Sequence, residues 1–329
     1  MYNIIDNTKP FQIVSAVLIL ISIACFIIFG LNLGIDFTGG SMLDIEFQGI
    51  SRPSINEVQE ALTEFELENL KIQPIEENGY LMRMQTINET KHQNIIVKLQ
   101  NTFTPEDDTN QNLKIETIGE ETISADAIEI QTQNDSIVIE KRFDSIGPVI
   151  GEELKQKSIW AIFIVLIAIV LYIAYVFRKV AKPVESWKYG LSAIAALAHD
   201  VIIIMGVFCI LGYLMNVEID SFFITALLII LGYSVNDTIV TFDRVRENLH
   251  KKQHLTFKEL INVSIKETLT RSINTSLTTF IILISVFIFG GETIKFFVLA
   301  LMLGVVIGTY SSIFVASPLL LFWYKRKYK

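Results

Sequence analysis

The sequence predicts an all-α membrane bundle of six transmembrane helices, with a small α+β domain of ferredoxin-like type inserted after the first helix. Of the 329 residues 51% are hydrophobic and the mean hydropathy is +0.46, which is too apolar for an ordinary soluble domain. The apolar residues concentrate in six runs of about 20 residues, the length that crosses a hydrocarbon core of roughly 30 Å. These runs lie near 11–33, 158–177, 190–212, 219–242, 271–290 and 296–323.

The first apolar run is interpreted as a retained membrane anchor. A cleaved secretory signal has an apolar region of about 7–15 residues, followed by small residues at the cleavage site. The run FQIVSAVLILISIACFIIFGLNL is longer, and Lys9 is the only basic residue before it. We therefore expect residues 1–33 to comprise a cytoplasmic amino terminus and transmembrane helix 1.

The distribution of charge predicts the orientation in the membrane. Residues 34–157 contain 24 acidic and 10 basic residues, whereas the rest of the chain contains 11 acidic and 17 basic residues. Lys and Arg in short loops mark the cytoplasmic side. They concentrate in the loop 178–188, in the segment 243–270 and in the carboxyl-terminal tail 324–329. We therefore expect both termini to be cytoplasmic and the acidic domain 34–157 to be extracytoplasmic.

The domain 34–157 has the pattern β-α-β-β-α-β. SMLDIEFQG alternates apolar and polar residues like a strand, and SINEVQEALTEFELEN begins with a Ser54/Glu57 capping box typical of a helix. KIQPIEENGYLMRMQT predicts two strands around an Asn-Gly turn. A helix near 88–101 and a strand near DSIVIEKRF complete the pattern. Residues 102–134 are polar and acidic and are interpreted as an elaborated loop.

Residues 158–323 are expected to form helices 2–6, interrupted by an amphipathic cytoplasmic segment at 243–270. Within this segment DRVRENLHKKQHLTFKELINVSIKE alternates charged and apolar residues at helical intervals. This pattern favours a helix that lies on the membrane surface. The alternative is a docking surface for a partner protein.

The run 219–242 contains an acidic residue, Asp237, within the stretch LLIILGYSVNDTIVTF. A charged Asp at the middle of a bilayer costs roughly 2.5–3.5 kcal/mol, so such residues usually face a bundle interior and mark ion or proton paths. The residues that share a helical face with Asp237, or adjoin it in sequence, are largely polar. They are Tyr233, Ser234, Asn236 and Thr241. Asp237 is therefore a candidate proton carrier; the alternative is that it only hydrogen-bonds neighbouring helices.

The fifth run opens with a basic residue, Arg271, and Asn274, Thr275 and Thr278 share its helical face. Asp237 and Arg271 both belong to the cytoplasmic half of the predicted bundle. A charge pair that forms and breaks as Asp237 changes protonation is compatible with these positions. The alternative is that Arg271 extends to the inner membrane interface. The amide and hydroxyls that follow it favour a polar channel lining.

The third and sixth runs carry further small or polar residues. His199 and Asp200 lie midway through the third run, and adjacent residues point about 100° apart on a helix. We expect Asp200 to face the bundle interior, and His199 to act in helix packing or in a proton relay. Gly304, Gly308 and Ser312 recur at intervals of four in the last run, which predicts close helix packing.

Several classes of function are not supported by the sequence. Cys25 and Cys209 both lie in apolar runs, which predicts neither a disulfide framework nor a metal site. The sequence contains no nucleophile elbow, Walker loop, zincin motif or dinucleotide fingerprint. We therefore expect no enzymatic activity, no cofactor and no nucleic-acid partner. The energy for any transport would come from an ion gradient or from a partner.

Six motifs resemble those of one family, the bacterial protein-translocase subunits SecF of the SecD/SecF family, within the resistance-nodulation-division superfamily. The motifs recur in the order and topology of that family. They are GIDFTGG (34–40), LAHDV (197–201), GYSVNDTIVTFDRVREN (232–248), LTRSINTSLTT (269–279), FGGETIKFF (289–297) and GTYSSIFVASPLLL (308–321). The family motif after helix 1 corresponds here to Gly34, Asp36, Phe37, Gly39 and Gly40.

The resemblance implies a location in the bacterial plasma membrane and a set of partners. These are a SecD-like subunit, the SecYEG channel, a YajC-like accessory protein and an unfolded preprotein in transit. It also implies that proton flow through the SecD/SecF interface draws the preprotein outward. Asp237 and Arg271 then occupy the proton-path positions of the family, and a further carboxylate of that path belongs to the SecD-like subunit. The long acidic stretch 102–134 departs from the family pattern.

Two other functions remain open at this point. The chain is alternatively half of a proton-driven exporter of small molecules, although the small outer domain leaves little room for a substrate tunnel. It is alternatively a structural scaffold of the translocon that needs no titrating group. The coupling ion is expected to be H⁺, with Na⁺ as the alternative.

Overall fold

The computed structural model describes residues 5, 8–75, 77–104, 137–178 and 184–327. The chain forms two compact units, a small one over Ile35–Leu154 and a large one over Met1–Gly34 with Lys155–Lys329. Residues 102 and 103 continue a helix, and most of the predicted acidic loop 102–134 lies outside the described residues.

The small unit contains a four-stranded antiparallel sheet with the strand order β2-β3-β1-β4. In the central pairing Leu43 lies opposite Met82 on one side and Phe143 on the other. The strands are β1 (Gly40–Phe47), β2 (Lys71–Ile75), β3 (Gly79–Met84) and β4 (Val138–Ile146). The antiparallel sheet and the strands on either side of the Asn-Gly turn confirm the sequence prediction.

Helices α3 (Ile55–Ala61) and α4 (Glu89–Phe103) supply the remainder of the core of this unit. Residues of the central strands β1 and β3 alternate between buried and half-buried, as a sheet with one covered face requires. The buried side chains of the sheet pack against those of the two helices. They include Leu43, Ile45, Phe47 and Met82 from the sheet, and Val58, Ile95 and Leu99 from the helices.

The Ser54/Glu57 capping box is confirmed at the start of α3. The Ser54 backbone N–H donates to Glu57 Oε2 at 2.7 Å, and the Glu57 N–H donates to Ser54 Oγ at 3.3 Å. The bonds from the Ser54 backbone and hydroxyl lower the pKa of Glu57. The helix ends at Ala61, earlier than predicted, and a 3₁₀ turn follows at Thr63–Phe65 before Glu66 adopts a φ of 45°.

Six helices of the described chain are long and apolar enough to cross a membrane, which confirms the six predicted spans. Five of them extend several residues beyond the apolar runs at one or both ends, whereas the first ends at Phe29, four residues before the end of the first run. The first five are α1 (Thr8–Phe29), α5 (Pro148–Val176), α6 (Ser186–Met215), α7 (Ser221–Lys251) and α8 (Phe257–Phe289). The sixth is composite and consists of α9 (Glu292–Ser311), a π-helical segment (Ser312–Ala316) and α10 (Ser317–Lys327).

Helix α9 lies at the centre of the large unit and contacts α6, α7 and α8, while α1 packs on α6. Glycine permits these approaches. A Cβ added at Gly304 would lie 2.3 Å from Ile230 Cγ1, and one added at Gly206 would lie 2.3 Å from Ser22 Cβ. Gly308 packs against Ser234 in the same way. The predicted packing role is therefore confirmed for Gly304 and Gly308, whereas Ser312 has a polar role that is described below.

Residues 243–270 do not form the single helix that the sequence predicted, but are divided between two helices. Helix α7 continues to Lys251, and α8 begins at Phe257 behind a Thr256/Glu259 capping box. The two helix ends form a hairpin, because the apolar residues of the segment are buried between helices. Asn248 Nδ2 joins the two ends by donating to Ser264 Oγ at 2.9 Å and to Glu267 Oε2 at 2.8 Å.

Candidate functional site

The interior of the large unit contains a fully buried carboxylate, Asp200 on α6. Ser234 Oγ of α7 and Ser311 Oγ of α9 both donate to Asp200 Oδ2, at 2.6 and 2.9 Å. The adjacent His199 places Nδ1 2.9 Å from Asp200 Oδ1. Three helices thus converge on one acidic group, as expected for a buried polar group that must be hydrogen-bonded.

A second carboxylate, Asp237 on α7, is half-buried and is held by hydroxyls from two other helices. Ser272 Oγ of α8 donates to Oδ1, and Ser312 Oγ, at the start of the π segment, donates to Oδ2. Asp237 therefore faces the interface of α7, α8 and the sixth helix. This orientation agrees with the predicted bundle-facing position.

The two carboxylates are linked through neighbouring residues of the sixth helix. Ser311 donates to Asp200, and the next residue, Ser312, donates to Asp237. Adjacent residues of a helix point about 100° apart, so one turn can serve two groups on different sides. The π segment begins at this point, and π-helical turns often occur at functional sites.

Arg271 and Asp237 line the same small cavity, which has a volume of about 50 Å³ and is bordered by α7 and α8. Such a space can hold a water molecule. In the described part of the chain the two side chains form no ion pair, and Arg271 is exposed. The other lining residues are Tyr233, Asn236, Val240, Thr275 and Ser276.

The remaining predicted residues of α8 lie on an exposed face. Asn274, Thr275 and Thr278 are exposed, and the two threonine hydroxyls donate to carbonyls of their own helix. Asn236 is also exposed, whereas Thr241 is buried one turn beyond Asp237 and does not bond to it. The large unit thus presents a polar surface beside the cavity.

Hydroxyl groups that the sequence analysis did not single out complete the site. Tyr233 Oη donates to Ser276 Oγ at 3.3 Å, and Ser276 is hydrogen-bonded to Thr309 of α9. Three serines of α8 and the sixth helix, which donate to Asp200 or Asp237, also belong to this group of hydroxyls. The residues not singled out earlier as site residues are Ser272, Ser276, Thr309, Ser311 and Ser312.

The glycine motif after α1 has a steric origin. Gly39 has a φ of +72°, and a Cβ there would lie 2.7 Å from Pro148 Cα. Gly40 has a φ of +132°, and a Cβ there would lie 2.9 Å from the Met84 carbonyl oxygen. Asp36 and the buried Phe37 form a short helix, α2 (Ile35–Thr38), just before these glycines.

Gly34 belongs to the large unit, where its N–H donates to the Ile219 carbonyl at 2.9 Å. A Cβ at this position would lie 3.2 Å from the same oxygen. The close approach of the two backbones therefore favours glycine.

Comparison with known families agrees with the order of these motifs. The family model "Protein export membrane protein SecD/SecF, C-terminal" matches residues 127–326, and the "SecD/SecF GG Motif" matches residues 26–49. This chain belongs to the SecD/SecF family. The relatives include "Protein translocase subunit SecF" of Thermobaculum terrenum, 38% identical over 98% of this chain and 94% of the relative. SecF of Anaerolinea thermophila is 34% identical over the same shares of the two chains.

Solved structures of the SecD/SecF family have the same fold. The crystal structure of SecDF, a translocon-associated membrane protein from Thermus thermophilus, matches with a TM-score of 0.76 at 28% identity. The match covers 99% of this chain but only 39% of the SecDF chain. A second SecDF structure, in a super-membrane-facing form, matches with a TM-score of 0.64.

Proposed function

We propose that this chain is the SecF-like subunit of the Sec protein-export machinery. With a SecD-like partner, it uses the proton-motive force to promote preprotein translocation through a SecYEG channel and release on the outer side. Membership of the SecD/SecF family and SecF-named relatives of nearly equal length support the export role. The role is transport across the membrane, without enzymatic chemistry.

The observation that carries the proton-coupled part of the proposal is the position of Asp237. It is half-buried within a candidate membrane helix, is held by two serine hydroxyls and shares a cavity with Arg271. An ionised Asp237 attracts the guanidinium across this cavity, and a protonated one does not. Binding and release of a proton would thereby move or free Arg271, with Asp200 and its serines as a supporting inner layer.

The proposed coupling ion is H⁺. Both oxygens of the Asp237 carboxylate already accept hydrogen bonds from serine hydroxyls, so these hydroxyls act as donors. A carboxylate can bind and release a proton by itself, whereas a Na⁺ ion needs several oxygen lone pairs arranged around it. Na⁺ remains the alternative in the experiments below.

The exposed polar face of α8 supports a protein partner within the membrane. Arg271, Asn274, Thr275 and Thr278 are exposed on this face, and intramembrane polar residues face protein or water-filled cavities. We propose that a SecD-like subunit covers this face and supplies the further carboxylate of the proton path. The solved SecDF chain is much longer than this chain, which accords with an additional half in that protein. The SecYEG channel, a YajC-like protein and the preprotein complete the proposed set of partners.

We propose that the small unit is ferredoxin-like and extracytoplasmic, and that both termini are cytoplasmic in the bacterial plasma membrane. The element order β-α-β-β-α-β and the strand order β2-β3-β1-β4 support the fold. The acidic composition of 34–157 and the basic residues of the opposite loops support the orientation.

Asp237→Asn in intact cells tests the proposed function. The amide has nearly the same size but cannot carry a proton, so we expect export of a pulse-labelled secreted protein to slow several-fold. Co-purification of a SecD-like chain with the variant would show that the complex still assembles. Glu60→Gln, which neutralises an exposed carboxylate on α3, is the control and should export normally. Normal export by Asp237→Asn in an assembled complex would instead support a structural scaffold.

A further inference from the structure

A cleft of about 610 Å³ opens in the large unit between α1, α6, α10 and the π segment. It shares no lining residue with the cavity of Asp237 and Arg271. Its volume lies within the range of roughly 300–1,000 Å³ that is typical of ligand sites. The proposed export mechanism assigns it no role.

The walls of the cleft are largely apolar. Ala16 and Ile19 of α1 line one side, and Phe314, Leu319 and Phe322 of the sixth helix line another. Two of these side chains, Ala16 and Phe322, are exposed in the isolated chain. Such an apolar surface is suited to contact with a hydrocarbon chain.

Three lysines lie at one end of the cleft. Lys9 is in the first turn of α1, Lys258 is in the first turn of α8, and Lys325 is near the end of α10. Among the described lining residues there is no Asp or Glu. Lys9 and Lys325 are exposed, and the described part of the chain offers neither an ion pair. Gln12, one turn along α1, adds a polar side chain.

The cleft is therefore amphipathic along its length. Ile19 lies ten residues beyond Lys9 on the same helix, a distance of about 15 Å at 1.5 Å per residue. A ligand that fits both ends carries negative charge at one end and hydrocarbon at the other. Basic pockets between membrane helices have this chemistry when they bind anionic lipid head groups.

We propose that this cleft binds one anionic phospholipid, with its phosphate on Lys9 and Lys325 and an acyl chain along Ala16, Ile19 and Phe314. The lipid comes from the leaflet that surrounds the helix ends bearing the lysines, which the proposed topology makes the cytoplasmic leaflet. A soluble phosphate would leave the apolar walls uncovered. The lipid site does not depend on proton coupling by Asp237. A negative result for lipid binding would therefore leave the export proposal intact.

The test is native mass spectrometry of the full detergent-solubilised chain, titrated with phosphatidylglycerol or with phosphatidylcholine of the same acyl chains. The double variant Lys9→Gln/Lys325→Gln removes the charges at the cleft. Lys266→Gln/Arg326→Gln removes the same net charge from residues outside the cleft and is the matched control. We expect the first variant alone to weaken phosphatidylglycerol binding by about tenfold.

A second variant, Ala16→Phe, fills the apolar part of the cleft and keeps all three lysines. It also should weaken phosphatidylglycerol binding, while the protein elutes as a single species on size exclusion. Equal binding of both lipids, or unchanged phosphatidylglycerol binding in the double variant, would overturn the proposal. Displacement of the lipid by glycerol 3-phosphate would also overturn it, because the site would then recognise a free anion.

Discussion

Asp237 lies in an apolar helix with two serine hydroxyls as hydrogen-bond donors. Hydrogen bonds to a charged group contribute about 1.5–3 kcal/mol each. Two of them are comparable to the roughly 2.5–3.5 kcal/mol cost of an Asp at mid-bilayer. Both oxygens of Asp237 therefore have hydrogen-bond partners without an ion pair to Arg271 in the described chain, which leaves the guanidinium available to move.

Ser272→Ala and Ser312→Ala each remove one donor to Asp237. We expect each variant to lower proton-dependent export several-fold, since the carboxylate then loses one of the two hydroxyls that hold it at the helix interface. Ser285→Ala is the control, because Ser285 is exposed on the same helix α8 and its hydroxyl donates to the Ile281 carbonyl of its own helix. The measurement is the rate of export at a fixed level of the protein. Equal rates in all three variants would contradict a role for the serines in holding Asp237.

The sequence predicted the carboxylates of this site and, among their hydroxyl donors, only Ser234. Asp237, Asp200 and Arg271 are conspicuous because charges are rare in apolar runs. Serine is common in membrane helices, and Ser311 and Ser312 are distinguished only by the two helices that they face. The sequence contains one indication of these donors: hydroxyl residues occur in the strings TRS and YSS within otherwise apolar runs. The absence of an Asp237–Arg271 ion pair within the described chain depends on side-chain positions that spacing does not determine.

At the scale of elements, the composite sixth helix organises the bundle. Helix α9 contacts α6, α7 and α8, and Gly304 and Gly308 permit its close approach to α7; the π segment follows directly. Within a membrane the hydrophobic effect does not drive helices together, because lipid tails are as apolar as the helix surfaces. Helices therefore associate through close packing, which small residues permit. Ser311 and Ser312, which donate to Asp200 and Asp237, directly follow this closely packed part of the helix.

Gly206→Ala tests the importance of such close approaches. The added Cβ would lie 2.6 Å from the backbone Cα of Ser22, so α1 and α6 must separate. We expect a loss of about 1–3 kcal/mol in stability, measured by thermal unfolding of the detergent-solubilised chain. Gly232→Ala is the control, because a Cβ there meets no atom within 4 Å and alanine favours a helix. Equal destabilisation by both changes would contradict the packing explanation.

The limits of sequence-based prediction at this scale are illustrated by 243–270. Its apolar spacing correctly predicted helix, but periodicity does not identify what an apolar face contacts. The Thr256/Glu259 capping box was present in the sequence and marked the start of α8. The small sheet was predicted well, because its strands have clear alternation and its hairpin has an Asn-Gly turn. Most of the predicted acidic loop 102–134 lies outside the described residues.

At the scale of the whole molecule, the exposed faces of the bundle differ in chemistry. Helix α5 exposes apolar side chains such as Ile164 and Leu171, which suit lipid. Helix α8 exposes Arg271 and Asn274 beside the cavity of Asp237. The polar face is therefore the expected contact with a second membrane subunit.

A photo-reactive amino acid at Asn274 should capture the partner subunit in native membranes. We expect a cross-link to a SecD-like chain, identified by mass spectrometry, because the proposed interface covers this face of α8. The same amino acid at Ile164, which is 60% exposed on α5, should capture no such chain. A SecD-like cross-link from position 164 but not from position 274 would place the interface elsewhere.

The central claim is that proton movement through Asp237 drives the export step. The most direct test uses sealed vesicles that contain this chain with its SecD-like partner and the Sec channel, with translocation of a labelled preprotein as the readout. An imposed pH gradient, at fixed membrane potential and without Na⁺, should accelerate completion of translocation in the native protein and in Glu60→Gln. It should have no effect in Asp237→Asn. Equal acceleration in Asp237→Asn, or acceleration of the native protein only by a Na⁺ gradient, would contradict the claim.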